Sequence, residues 1–211
     1  MKNPLHYQLS EYDCGPSSML NAISFLFERE EIPPELIRNI MLYSLDCYGT
    51  EGAPGKSGTS CTAMMFLANW LEGFGKAGHL PISARYLTGK NVFISRDSFI
   101  NDALHRGGAA VVRLYFDIAH YVLLTGIRGE NILMFDPYYQ EEPFSNEFLL
   151  EDAAKVTLEH PFHYNRIVPF SYFNRQTQEL YALGNRQERE AVLLFNKKTE
   201  LTAEKTIEYF I

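Results

Sequence analysis

Through the first third of the chain apolar residues recur at helical spacing, and from residue 82 the repeat shortens to the alternation of extended strands. Residues 15 to 28 place Met19, Leu20, Ile23, Phe25, Leu26 and Phe27 at mainly helical intervals, with Asp13 positioned as N-cap. Pro33 and Pro34 suit the first turn of a second helix through Leu36, Ile37, Ile40, Met41 and Leu45, ending near Cys47. The glycine- and proline-rich stretch Gly49 to Gly58 reads as an exposed loop. After it, Thr59 or Ser60 caps a third helix through Met64, Leu67, Leu71 and Phe74.

The extended half begins with Ile82 to Leu87 and Val92 to Ser95 as short strands, then a helix from Asp97 to His105 and a turn at Gly107-Gly108. Three strands follow, Ala109 to Tyr115, Ala119 to Ile127 and Asn131 to Asp136, the last two forming a hairpin around Arg128-Gly129-Glu130. The length of its loop decides which face Asp136 occupies, because side chains alternate. A three-residue loop pairing Ile127 with Asn131 sets Asp136 opposite Val122, on the face of His120. A two-residue Gly129-Glu130 turn separates them, unless Asp136 lies past the regular ladder. The glycine suits the longer loop. Beyond it the pattern predicts a helix around Leu149 to Lys155 and strands near Arg166 to Tyr172 and Ala191 to Phe195. There is no internal repeat and no low-complexity tract.

Composition narrows the classes of function. With 211 residues and 46% apolar content the chain supports one sizeable domain, 1–211, with an appendage whose role the sequence leaves open from Ser171 onward. A formal charge of −7 and no cluster of Lys and Arg argue against a nucleic-acid partner or a membrane surface, and hint at a basic substrate. No run of about 18 apolar residues is present to span a bilayer. Three cysteines without a CxxC make neither a disulfide framework nor a zinc site, which implies a reducing compartment. The first residues lack the apolar core of a secretory signal, so the expectation is a cytoplasmic chain.

The candidate chemistry starts at Cys14, which opens the first helix. A helix N-terminus offers free N–H groups and positive potential, which favour thiolate over thiol. Gln8, six residues earlier, offers an amide donor that with the Cys14 N–H makes a two-donor cradle for an oxyanion. A thiolate needs a base, and the base needs an acceptor to orient it; His120 and Asp136 supply both, in that order. Asp117 is the rival acid, but three residues from His120 on a strand it points to the other face. Ser17 and Ser18 fall in the first helical turn, where hydroxyls bond free backbone groups. His160 and His163 lack accompanying ligands and read as polar surface residues. Thr50 to Ser57 falls short of a phosphate loop for want of a first glycine and a preceding strand.

Gln8, the run Asp13-Cys14-Gly15-Pro16, His120-Tyr121-Val122 and Asp136-Pro137 together resemble the peptidase C39 family, a bacterial branch of the papain-like cysteine peptidases. The likeness covers roughly residues 5 to 140. It implies an α+β, papain-like fold, with a helical layer carrying the cysteine packed on an antiparallel sheet carrying histidine and aspartate. It also implies Cys14 as nucleophile, His120 as general base and acid, Asp136 as orienter and Gln8 as oxyanion donor, acting on a peptide or acyl substrate with no metal or organic cofactor. Nothing resembles the exporter to which the best-known members are joined, which implies a stand-alone peptidase. The same residues would serve an acyl- or peptidyltransferase, in which an amine or thiol replaces water, and the same fold without activity would serve as a peptide-binding module. Gly107-Gly108 is expected to be a turn rather than a self-cleavage site.

Overall fold

The computed structural model describes residues 1–142 and 153–202. Three helices come first: α1 (Cys14–Leu26), α2 (Pro34–Ser44) and α3 (Cys61–Lys76). Seven strands follow, β1 (Ile82–Thr88), β2 (Ala109–Phe116), β3 (Ile118–Arg128), β4 (Asn131–Phe135), β5 (Lys155–Val156), β6 (Arg166–Pro169) and β7 (Glu190–Asn196), with two short helices between them, α4 (Phe99–His105) and α5 (Phe170–Phe173). They form one sheet in the order β1-β7-β2-β3-β4-β6-β5, and every pairing is antiparallel.

The alternation of side chains gives this sheet two apolar faces, each covered. One face, with Val111, Leu123, Val192 and Leu194, packs against Met19, Ile23, Leu36, Leu67 and Leu71 of the three leading helices. The other, with Val112, Leu114, Val122 and Leu193, packs against Ile100 and Leu104 of α4 and against Tyr172, Phe173 and Tyr181. The sheet is therefore a middle layer, and the mixed α and β content agrees with the expected α+β class.

Several local expectations are corrected. Val92 to Ser95 is not a strand: side chains hold its backbone instead, with Asn174 bonding both Ile94 N–H and Ile94 C=O and Arg189 Nη1 donating to the Val92 carbonyl. The predicted strand Arg166 to Tyr172 stops at Pro169 and continues as α5. The expected helix at Leu149 to Lys155 falls mostly outside the described residues, and Lys155 itself belongs to β5. Asp13 stands at the N-cap position without capping, as its carboxylate turns back to accept from Leu9 N–H, Ser10 N–H and Ser10 Oγ.

The segment from Ser171 onward proves central. β7 lies between β1 and β2 with all seven of its residues buried, so the sheet cannot close its core without it. Among the described residues no helix is long and apolar enough to cross a membrane.

Candidate active site

The β3–β4 hairpin brings His120 and Asp136 together by a route the pattern did not foresee. Its loop is the shorter one: Arg128 pairs with Asn131, and Gly129 takes φ 61°, the left-handed backbone that such a two-residue turn requires. Alone, this register would set the two residues on opposite faces. A β-bulge at Thr125 corrects it, since pairing runs Ile127 with Ile132 and Gly126 with Leu133, then skips to Leu124 with Met134 and Leu123 with Phe135. The Thr125 hydroxyl donates to the Leu133 carbonyl at 3.1 Å and fixes the kink. Continued one step further, the shifted ladder sets Asp136 opposite Val122, the arrangement expected from the longer loop.

Here the imidazole and carboxylate meet: His120 Nε2 lies 2.7 Å from Asp136 Oδ1, and Asp136 is wholly buried. Asp136 is fixed on every side. Its N–H donates to Asn165 Oδ1 while Asn165 Nδ2 donates back to its carbonyl, each at 2.8 Å. The Tyr138 N–H donates to Oδ1 and the Tyr181 hydroxyl to Oδ2 at 3.1 Å. Behind Tyr181 the fully buried Arg166 donates from Nε to the phenol oxygen, and from its other nitrogens to the carbonyls of Asn165 and Tyr138.

These neighbours set the protonation states. Burial disfavours the charged forms of both residues, yet the pair overcomes it. Charge and hydrogen bonding from Asp136, with a smaller contribution from Cys14 as acceptor, push His120 up to about 10. Burial opposes ionisation of Asp136 too, but His120, then Arg166 and the Tyr138 N–H, hold it below the usual carboxylate range. The pair is an imidazolium and a carboxylate across the neutral range.

Cys14 reaches this imidazole from the other layer. With Nε2 engaged by Asp136, Nδ1 is the nitrogen left for a further partner, and Cys14 lies near enough to favour the protonated imidazole. Two clamps hold α1 in place. The Ser18 hydroxyl crosses to the Tyr121 carbonyl on β3 at 3.0 Å, a longer reach than the expected local bond. Asn21 bonds the N–H and C=O of His6, pinning the leading segment to the helix, and Gln8 N–H then donates to the Pro137 carbonyl. Gly15 is needed for close approach, because a Cβ there would lie 2.3 Å from Thr59 Oγ1.

Gln8 sits at the expected place with a different engagement. Its Nε2 donates to the Ser10 carbonyl at 2.7 Å, and its Oε1 is buried without a hydrogen-bond partner. One of its two amide hydrogens is therefore committed to holding the loop before Cys14. Asp117 occupies the β2–β3 turn at φ 61°, exposed and away from the paired residues. His163 is half-buried rather than on the surface, edge-on to Phe25 and 3.3 Å from the bulge hydroxyl of Thr125.

Beside Cys14 opens a cavity of about 510 Å³ between the start of α1, the loop Lys56–Cys61 and the ends of β2, β3 and β7. The glycine-rich loop borders it as part of its wall. Arg166, Asn165 and Tyr181, which complete the Asp136 environment, were not picked out by the pattern. A polar Asn-Arg pair at the start of a predicted strand was the one signal pointing to them. Among the described residues no group of three or more His, Cys, Asp or Glu is placed to hold a metal ion. Compared with known proteins, the chain matches no family model and no curated sequence, so the chemistry of this site rests on its own geometry.

Proposed function

We propose that the chain is a cysteine peptidase of papain-like, C39-like type that works through an acyl-enzyme on Cys14. The observation that carries the reading is the buried set Cys14, His120, Asp136: a carboxylate bonded to an imidazole at 2.7 Å, and a cysteine at a helix N-terminus close enough to influence the protonation of that imidazole. In this mechanism the Cys14 sulfur attacks the scissile carbonyl as a thiolate, its proton held on His120, and the developing oxyanion is met by the Cys14 N–H and the second amide hydrogen of Gln8. His120 then gives its proton to the departing amine as the C–N bond breaks, leaving a thioester. Water adds to the thioester while His120 takes up its proton, and collapse of the tetrahedral intermediate breaks the C–S bond, releasing the carboxylic product and returning Cys14 as a thiolate beside the imidazolium.

The test is incubation of the wild type and of Cys14→Ala with a peptide library, followed by mass spectrometry of protein and products. The expected result is a thioester adduct and newly freed carboxylates with the wild type, and turnover reduced to background in a variant that remains folded. Residual cleavage by Cys14→Ala would overturn the assignment. Products heavier by an acyl group on an amine or thiol would mark a transferase, and a Cys14 inert to mild alkylation would mark a binding module.

A further inference from the structure

The cavity beside Cys14 has a charged floor that the triad does not use. Glu190, at the start of β7, is 2% exposed and accepts a hydrogen bond on each oxygen, from the Tyr121 hydroxyl and from the Tyr86 hydroxyl, both at 2.8 Å. Arg113 on β2 brings Nε to 3.9 Å from the same carboxylate and donates from Nη1 to the Glu188 carbonyl at 3.2 Å. Cross-strand pairing explains the grouping, because Arg113 lies opposite Tyr121 and Glu190 follows on the neighbouring strand. Both phenols face a fixed negative charge, and together with burial this raises them above the ordinary tyrosine range.

What the cavity offers a ligand is the accessible member of this cluster. Glu190 reaches the cavity floor but is 2% exposed with both oxygens bonded to phenols, whereas the Arg113 side chain is 30% exposed on the cavity wall. Two of its nitrogens are oriented from behind by Glu190 and Glu188, which leaves the guanidinium's remaining nitrogen for the cavity. Lys56 adds a second cation to the lining, where the carboxylates are the exposed Glu11 and the buried, doubly bonded Glu190. A guanidinium seated in this way beside a buried carboxylate presents one oriented nitrogen and a permanent positive charge to an anion.

We propose that this cavity is a carboxylate-binding subsite anchored by Arg113, so that the preferred substrate carries a carboxylate near the bond attacked. The proposal rests on the peptidase reading for the identity of the substrate, but the subsite is defined by its own charges. The carboxylate belongs to an acidic side chain or to a free C-terminus, and the test separates the two.

Binding is measured by calorimetry on full-length Cys14→Ala, which reads the cavity without turnover. The probes are acetylated, amidated alanine hexapeptides carrying one glutamate, one glutamine or one lysine at each position in turn, plus the all-alanine peptide with a free carboxylate. Either the glutamate pool or the free-carboxylate peptide is expected to bind about 10- to 100-fold more tightly than the glutamine pool. Arg113→Met is expected to abolish that preference, and Arg113→Lys, which keeps the charge and the partner of Glu190, to retain part of it. Equal binding by all pools, no binding, or a preference for lysine overturns the proposal. If carboxylate peptides bind yet wild type never turns them over, the subsite stands and the peptidase reading falls.

Discussion

Two buried carboxylates occupy opposite faces of the same sheet, and they are built alike. Asp136 accepts from the Tyr181 hydroxyl with Arg166 behind it, while Glu190 accepts from the Tyr86 and Tyr121 hydroxyls with Arg113 beside it. The difference lies in what each charge faces. Asp136 has its arginine wholly buried and one step removed, so its direct ionic partner is a histidine that gains and loses a proton. Glu190 faces a permanent cation that is partly open to the cavity. Similar surroundings thus set a carboxylate against a titratable imidazole in one place and against a permanent cation in the other.

Breaking the first member should have the largest effect. Asp136→Asn keeps the shape but removes the charge that orients His120, and kcat is expected to fall by about 10²- to 10⁴-fold in steady-state assays. Its pH signature follows from the signs. His120 is raised from 6.5 to about 10, so the stability it contributes is fully present below 6.5 and disappears as pH rises through about 10. Asp136 is lowered from 3.8, so its contribution is present above 3.8 and disappears as pH falls through its depressed value. Chemical denaturation across pH should show both slopes in the wild type and neither in Asp136→Asn.

Glu190→Gln sharpens the contrast from the other side. Arg113 loses the charge that seats it, and kcat/KM is expected to drop by about tenfold, a loss of roughly 1.4 kcal/mol carried mainly by KM. A loss carried by kcat would place Glu190 in the chemistry itself. The smallest effect belongs to Tyr181→Phe, which removes one of the hydrogen bonds to Asp136. A stability loss of about 1–2 kcal/mol by urea titration is expected.

Much of this arrangement was legible in the residues alone. Cys14, His120 and Asp136 stand out because a nucleophile, a base and an acid follow in order with helix and strand patterns around them. Two things were hidden. Thr125 was unreadable as a bulge, since its place in an apolar alternating run looks like any strand position and the ladder shift appears only when β4 is laid alongside. Tyr181 and Glu190 lay in the stretch from Ser171 onward, where sequence distance concealed that β7 inserts between β1 and β2, far earlier in the chain.

The extra residue at Thr125 makes the hairpin behave as a counting device with two compensating entries. Lengthening the turn by one residue, or straightening the kink, would each swing the acid to the wrong side of the sheet; doing both would leave the machinery intact. Related chains are thus free to exchange a short turn with a kink for a long turn without one, but an unpaired insertion or deletion in this ribbon would disarm the site while leaving every chemical group in the sequence.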